Sequence, residues 1–269
     1  MVVGNAAYVL IEKTEQEAAA LLRYEPTADR WARLALPSDP SATLVAGDHR
    51  VFAVPGFSDG KAVRLQALDT ASAEVSWRTL PADPLGSADY RQATWFDGRL
   101  MLAGPPLATG SGGAAARVRI TWWDQDSDTW TKPVDGKVTG WDPTTVGARI
   151  VWPGHGDATS GSAASGGIYD PDADRWADLP DPLDLDGLDR ASGLVVGSRI
   201  VIGEPSAGAD SGRGQLLDPV SRHWTAIAPL PGPPRFAAAT AASVDEIFVW
   251  GGGTAKEENL ADGYLLRVP

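Results

Sequence analysis

The chain has 269 residues, of which 43% are hydrophobic and 22% charged, and a formal net charge of -12. That acidity, with no Lys/Arg cluster to offset it, excludes a nucleic-acid backbone as partner. The lack of cysteine excludes disulfides, thiolate metal sites and cysteine nucleophiles, and no run reaches the ~18 apolar residues of a membrane-spanning helix.

Thirty glycines and 21 prolines lie between short apolar runs, a distribution that favours many short strands and turns. In chain order, residues 1–13 have no basic region and only a short apolar run, so they are not a signal peptide. A strand is expected at 6–12. The first copy of a recurring motif follows: Tyr24, Glu25 and Pro26 lead to Trp31, which opens a strand over 31–36. Each later unit repeats one order of events. A strand rich in Ala, Thr and Val comes first, as at 191–193 and 237–240, followed by a glycine or charged turn. A run of strong β formers follows, at 50–54, 100–103, 149–152, 199–202 and 247–250. A Gly or Pro ends it, and after a loop of variable length the turn motif returns.

The clearest copy of that motif is YDPDADRWADL, residues 169–179. An Asp at the first turn position can accept a hydrogen bond from the backbone two residues on, and Pro at the next presets φ for a type I turn. A tryptophan six positions after the acidic residue then anchors the next strand. The copies around Trp31, Trp130, Trp176 and Trp224 keep that step, whereas the one from Asp69 to Trp77 is two residues longer. The tryptophans recur at intervals of 46, 53, 46 and 48, a period that marks a repeat architecture. Each unit reads as a meander of four short strands, here called a to d. Such a sheet cannot bury both faces alone, so stacking of units is expected.

A strong β run, a Gly-Gly doublet as at Gly251-Gly252, Tyr-Asp-Pro, a six-residue step to Trp and then Leu-Pro together resemble the kelch repeat, over nearly the whole chain. The doublet is reduced to Pro-Gly or a single Gly in most units. The resemblance implies an all-β, six-bladed kelch-type β-propeller forming one domain, with blades near 1–37, 38–84, 85–134, 135–183, 184–230 and 231–269. The sixth unit stops where its fourth strand should follow. Residues 1–3 are therefore expected to close the ring against that blade, unless the chain is a fragment of a longer protein.

Antiparallel geometry puts the start of strand a and the end of strand b at one edge of each blade, so the d-to-a linkers and b-to-c loops share one face. Arg91 and Arg190 are repeat-equivalent at the start of strand a, with Arg235 as their counterpart in the last unit. Three converging guanidinium groups can hold a carboxylate, a phosphate or a sugar acid. Alternatively, they pair with linker carboxylates such as Asp89 or Asp189. The longest b-to-c loop carries His155, a general base or metal ligand or simply a solvated loop histidine, and the next carries Glu204. Asp124, Asp126 and Asp128 have the spacing of a calcium loop, but Thr129 stands where that loop needs glycine, and turn chemistry explains them equally. No cofactor is expected. The copper oxidases on kelch-type propellers need a Cys ligand that this chain lacks.

Kelch propellers are mostly binding platforms, which implies a monomeric, non-catalytic module recognising a protein or a glycan through the loop face. A second reading is a sugar-acid isomerase or epimerase using the arginine set with His155 or Glu204. A third is a structural propeller within a larger envelope protein. Abundant Ala, Gly and Arg suggest a bacterial source, and an exported or envelope location with the leader outside this chain.

Overall fold

The structure is a computed structural model that describes residues 1–11, 13, 18–56, 64–72, 75–86, 91–104, 117–139, 142–153, 166–180, 193–202, 214–228, 235, 238–254, 256 and 258–268. The chain is all-β, in six antiparallel blade sheets divided between two compact units, Met1–Gly136 and Lys137–Pro269.

The first unit holds three sheets. One is β1 (Val2–Val3), β2 (Ala6–Ile11), β3 (Ala20–Glu25) and β4 (Arg30–Leu34), with a single 3-10 turn, Pro26–Ala28, between the last two. The next is β5 (Thr43–Ala46), β6 (Arg50–Val54), β7 (Gln66–Asp69) and β8 (Trp77–Thr79). The third is β9 (Gln92–Phe96), β10 (Arg99–Gly104) and β11 (Arg119–Asp124), whose outer neighbour is split into β12 (Thr129–Trp130) and β13 (Val134–Asp135). The second unit holds β14 (Thr144–Val146), β15 (Arg149–Trp152), β16 (Gly167–Asp170) and β17 (Arg175–Asp178), then β18 (Leu194–Val196), β19 (Arg199–Ile202), β20 (Gln215–Asp218) and β21 (His223–Ala226). Its last sheet is β22 (Ala239–Ala242), β23 (Glu246–Trp250) and β24 (Gly263–Arg267). Among the described residues this sixth sheet has three strands rather than the expected four.

The b strands fall where the runs of β formers put them, to within a residue. The small-residue stretches at 191–193 and 237–240 fall partly outside the described residues, and strand a of those two sheets is described over Leu194–Val196 and Ala239–Ala242. The tight a-b turns set its register: Asp97 and Gly98 both take positive φ, as the twist of a two-residue hairpin requires. Crowding between adjacent first strands is nonetheless present, since a Cβ on Gly193 would lie 2.7 Å from Thr144 Oγ1.

The N-terminal segment pairs within the first sheet. Val2 lies opposite Ala7 and Val3 opposite Ala6, and the Tyr8 amide donates to the Met1 carbonyl at 2.8 Å. This segment is strand a of the first blade, a role hidden in the sequence because two residues carry no periodicity.

Burial arises between neighbouring sheets. Phe52, Val54, Leu100, Leu102 and Trp123 fill the space between the second and third; Tyr8, Leu21, Val51 and Leu68 that between the first and second. In the second unit, Val151, Ile168, Ile200 and Leu217 bridge the fourth and fifth, and Val201, Leu216, Ile247 and Val249 the fifth and sixth. At roughly 1.5–3 kcal/mol per fully buried aliphatic or aromatic side chain, these seams dominate stability.

Three of the motif tryptophans fasten their blade to the one before it. Trp77 Nε1 donates to the Ala35 carbonyl at 2.8 Å, Trp130 to Pro81 at 3.0 Å and Trp224 to Pro180 at 3.1 Å. Each acceptor lies at the end of the preceding blade's last strand, at its proline-bearing linker. This explains why Trp is followed by Leu-Pro in the repeat: one blade's linker supplies the carbonyl for the next blade's indole.

Candidate functional site

Two of the three a-strand arginines, Arg91 and Arg235, are built into the protein. Arg91 and Asp83 form an ion pair at 2.9 Å with both side chains at least 98% buried. A further Arg91 nitrogen donates to the Gly86 carbonyl, and the Arg91 amide reaches the Gly56 carbonyl at the end of the preceding blade's strand b, at 3.3 Å. Burial holds the Asp83 carboxyl above its ordinary range even with the guanidinium beside it. Arg235 pairs with Asp262 at 2.8 Å and donates to the carbonyls of Gly251 and Asp262, and its guanidinium lies 4.7 Å from the centre of the Tyr264 ring. Because Gly251 ends strand b and Asp262 precedes strand c, these bonds display the shared edge deduced from antiparallel pairing. Asp83 lies eight residues before its arginine and Asp262 twenty-seven after, so sequence proximity did not single them out. Arg190, His155 and Glu204 lie outside the described residues, as do Asp89 and Asp189.

The aspartates of the calcium-like spacing do three separate jobs. Asp124 accepts from the amides of Asp126 at 3.1 Å and Ser127 at 2.8 Å, and from the Ser127 hydroxyl. The Ser127 amide bond, ahead of the others, lowers its carboxyl below the ordinary range. Asp128 accepts from Arg78 at 2.8 Å, which lowers it likewise, and from Trp123 Nε1 at 3.1 Å. Asp126 is exposed beside them. The same turn chemistry recurs at Asp218, which accepts from the Val220 and Ser221 amides, and at Asp69, which accepts from Ala71. Asp29, Asp128, Asp174 and Arg222 all stand two residues before their tryptophan with positive φ; Asp tolerates this left-handed position better than most side chains. Among the described residues no three His, Cys, Asp or Glu side chains group as metal ligands do.

At the opposite edge of the first unit, where the a-b and c-d turns meet, lies a trough the sequence did not announce. A cavity of about 230 Å³ is lined by Asp48, His49, Arg50, Asp69, Trp95 and Gln125. Beyond His49 a second one of about 380 Å³ runs past Tyr8, Arg23, Glu25 and Thr70. The His49 carbonyl holds the Thr70 amide at 2.9 Å, Trp95 Nε1 donates to Asp48 at 3.0 Å, and Arg50 reaches Gln125. Burial raises the Tyr8 phenol, so at neutral pH it stays a hydroxyl. Both donors and acceptors converge beside an indole, a lining suited to a hydroxyl-rich molecule. Each contributing residue comes from a different turn, so no local motif reveals the set.

Comparison with known proteins agrees on the fold. No protein-family model matches the chain. Over 179 residues it is 29% identical to beta-scruin of Limulus polyphemus, a match covering 63% of this chain and 19% of that protein. Among solved structures it is similar to that titled "Structure of YjhT", with a TM-score of 0.57 at 18% identity, over 81% of this chain and 75% of the other. The chain thus spans less than a fifth of the length of its curated relative.

Proposed function

We propose that this β-propeller, whose repeats resemble the kelch repeat and whose sequence is similar to that of beta-scruin, is a non-catalytic recognition module whose linker-and-loop edge binds a protein partner. The observation that carries this reading is the pair of buried arginine struts, Arg91 with Asp83 and Arg235 with Asp262. Arg235 ties the two ends of its b-to-c loop, and the linker that Arg91 braces reaches the root of another through the Arg91 amide on Gly56; those loops differ widely in length from unit to unit in the sequence. A rigid rim bearing unequal loops is the usual arrangement for recognition. The sugar-acid isomerase reading needs guanidinium groups open to a ligand carboxylate, and two of its three arginines are committed to protein carboxylates.

The trough around His49 favours a second, compatible reading: a glycan of monosaccharide size held at the opposite edge of the first unit. The two readings separate in one experiment. A partner captured on the immobilised chain should be lost when residues 154–165 are replaced by a short Gly-Ser linker, and kept in His49→Ala. A neutral sugar raising the melting temperature should show the reverse dependence. Capture that survives replacement of every b-to-c loop would sink the loop-edge reading.

A further inference from the structure

The repeat supplies its own control for the trough around His49, because its positions have counterparts in the other sheets. Four residues that depart from the repeat fall on it. His49 is the second residue of its a-b turn, where the other turns have Asn5, Gly98, Ala148, Ser198 and Asp245. Trp95, opposite Leu100 across strands a and b, stands where Val2, Ala46, Thr145, Val195 and Ala242 stand in their sheets. Thr70 and Gln125 follow the acid that ends strand c, where the turn motif otherwise has Pro26, Pro171 and Pro219. Turn formation needs none of these changes, since the same turns close elsewhere with small residues and with proline. All four residues line the two adjoining cavities, which share His49 and Ala71 as a common wall.

The charge of the trough follows from a further departure, in geometry. The residue that opens strand b lies opposite the acid that ends strand c: Arg50 opposite Asp69, and Arg99 opposite Asp124. In the fourth sheet that pair is closed, Arg149 to Asp170 at 3.1 Å. Arg50 instead donates to Gln125 of the next blade, and its guanidinium lies 5.8 Å from the centre of the Trp123 ring. Proline, the repeat's residue there, has no side-chain acceptor to draw it away. Asp69 stays exposed and accepts from the Ala71 amide at 2.9 Å, while Asp48 accepts from the neutral indole of Trp95. Neither bond cancels a charge. Across both cavities Asp48, Asp69 and Glu25 stand against Arg23 and Arg50, one carboxylate in excess. An acidic sugar is repelled by that excess and a neutral one leaves it unmet. A protonated amine meets it with a charge-assisted hydrogen bond, and the indole, amide and hydroxyl groups suit a sugar ring.

We propose, resting on the glycan reading of this trough, that its ligand is an amino sugar: a hexosamine whose ammonium group pairs with Asp69 and whose ring lies beside Trp95 and His49.

Isothermal titration of the full chain at about pH 6.5, where such an amine is protonated, compares glucosamine with glucose, N-acetylglucosamine and glucuronate. Glucosamine should bind about fivefold more tightly than the two neutral sugars and glucuronate most weakly, and the preference should shrink at high salt. Asp69→Asn keeps an acceptor for the Ala71 amide and should bring glucosamine to the level of glucose. Gln125→Pro restores the residue of the repeat, returns Arg50 to Asp69 and should do the same. Asp170→Asn, at the equivalent place in the fourth sheet, should leave the preference intact. Equal binding of glucosamine and glucose to the wild type would overturn the amino-sugar assignment and leave the glycan reading standing. A preference that persists in Asp69→Asn would overturn it too, and that variant decides alone if Gln125→Pro does not fold. Ethanolamine binding as tightly as glucosamine would reduce the site to a cation contact and also overturn it. No binding of any of these sugars at tens of millimolar would sink the amino-sugar assignment and the glycan reading together.

Discussion

The fifth and sixth sheets are built from the same repeat, yet one is sealed and the other open. In the fifth, Trp224 is 6% exposed, tied to Pro180 and packed with Leu217 and Ile200. In the sixth, Phe248 and Trp250 stack at 6.1 Å between ring centres on an open face, and Trp250 is 49% exposed. Trp31 of the first blade is similarly open at 55%, although its stack on Tyr24, at 4.7 Å, matches the stack of Trp176 on Tyr169 in the fourth. The motif's stack of Trp on Tyr is therefore built locally, at Trp31 as at Trp176, while burial of an indole is set by what lies beside its sheet. The free energy resides in the seams between sheets, not in the motif.

The sharpest way to break this comparison is to truncate both tryptophans. Trp224→Ala should cost about 3–5 kcal/mol in denaturant unfolding, and Trp250→Ala within about 0.5 kcal/mol; equal losses would refute the contrast. The two arginine struts form a second, smaller contrast. Arg91→Ala leaves a buried carboxylate without its partner and should cost about 3 kcal/mol. Arg235→Ala should cost about 1–2 kcal/mol, because Asp262 is 61% exposed and can return to water. Trp77→Phe, which keeps the ring but orphans the Ala35 carbonyl, should cost about 1 kcal/mol in the same assay.

Acid titration compares the rim with the turns by sign. Asp124 and Asp128 have folded values below the ordinary 3.8, so their stabilisation is present above that pH and lost as pH falls through the lowered values. Asp83 has a raised value, so its contribution is present below 3.8 and lost as pH rises through the raised value. Removing it takes away a term that opposes acid unfolding. The melting temperature of Asp83→Asn should accordingly fall more steeply on acidification than that of the wild type; parallel curves would sink this assignment. The smallest effect is expected at the exposed Arg78–Asp128 pair, where Arg78→Ala should cost less than about 1 kcal/mol at moderate salt.

Much of the architecture was legible because it is local. Strand b is a run of β formers between a turn and a glycine, and the Asp of the c-d turn folds back on its own amides at Asp69, Asp124 and Asp218. The shared edge of linker and loop followed from antiparallel pairing alone, and Arg235 bonded to Gly251 displays it. The two-residue strand Val2–Val3 was not legible, since it is fixed by pairing rather than by pattern. The roles of the arginines were hidden too. A guanidinium at the rim reads as a ligand clamp until the fold brings Asp83 or Asp262 against it.

The sequence by itself determined the all-β class, the tryptophan period, the turns and the count of six repeats, because each rests on contacts within about ten residues. Only the tertiary structure decided which side chains are sealed and which are open. It closed Trp224 and left Trp250 bare, committed Arg91 and Arg235 to carboxylates, and assembled the His49 trough from separate turns. The physical reason is that burial and charge pairing depend on which sheet stands beside which, a relation the repeat does not encode in any single copy.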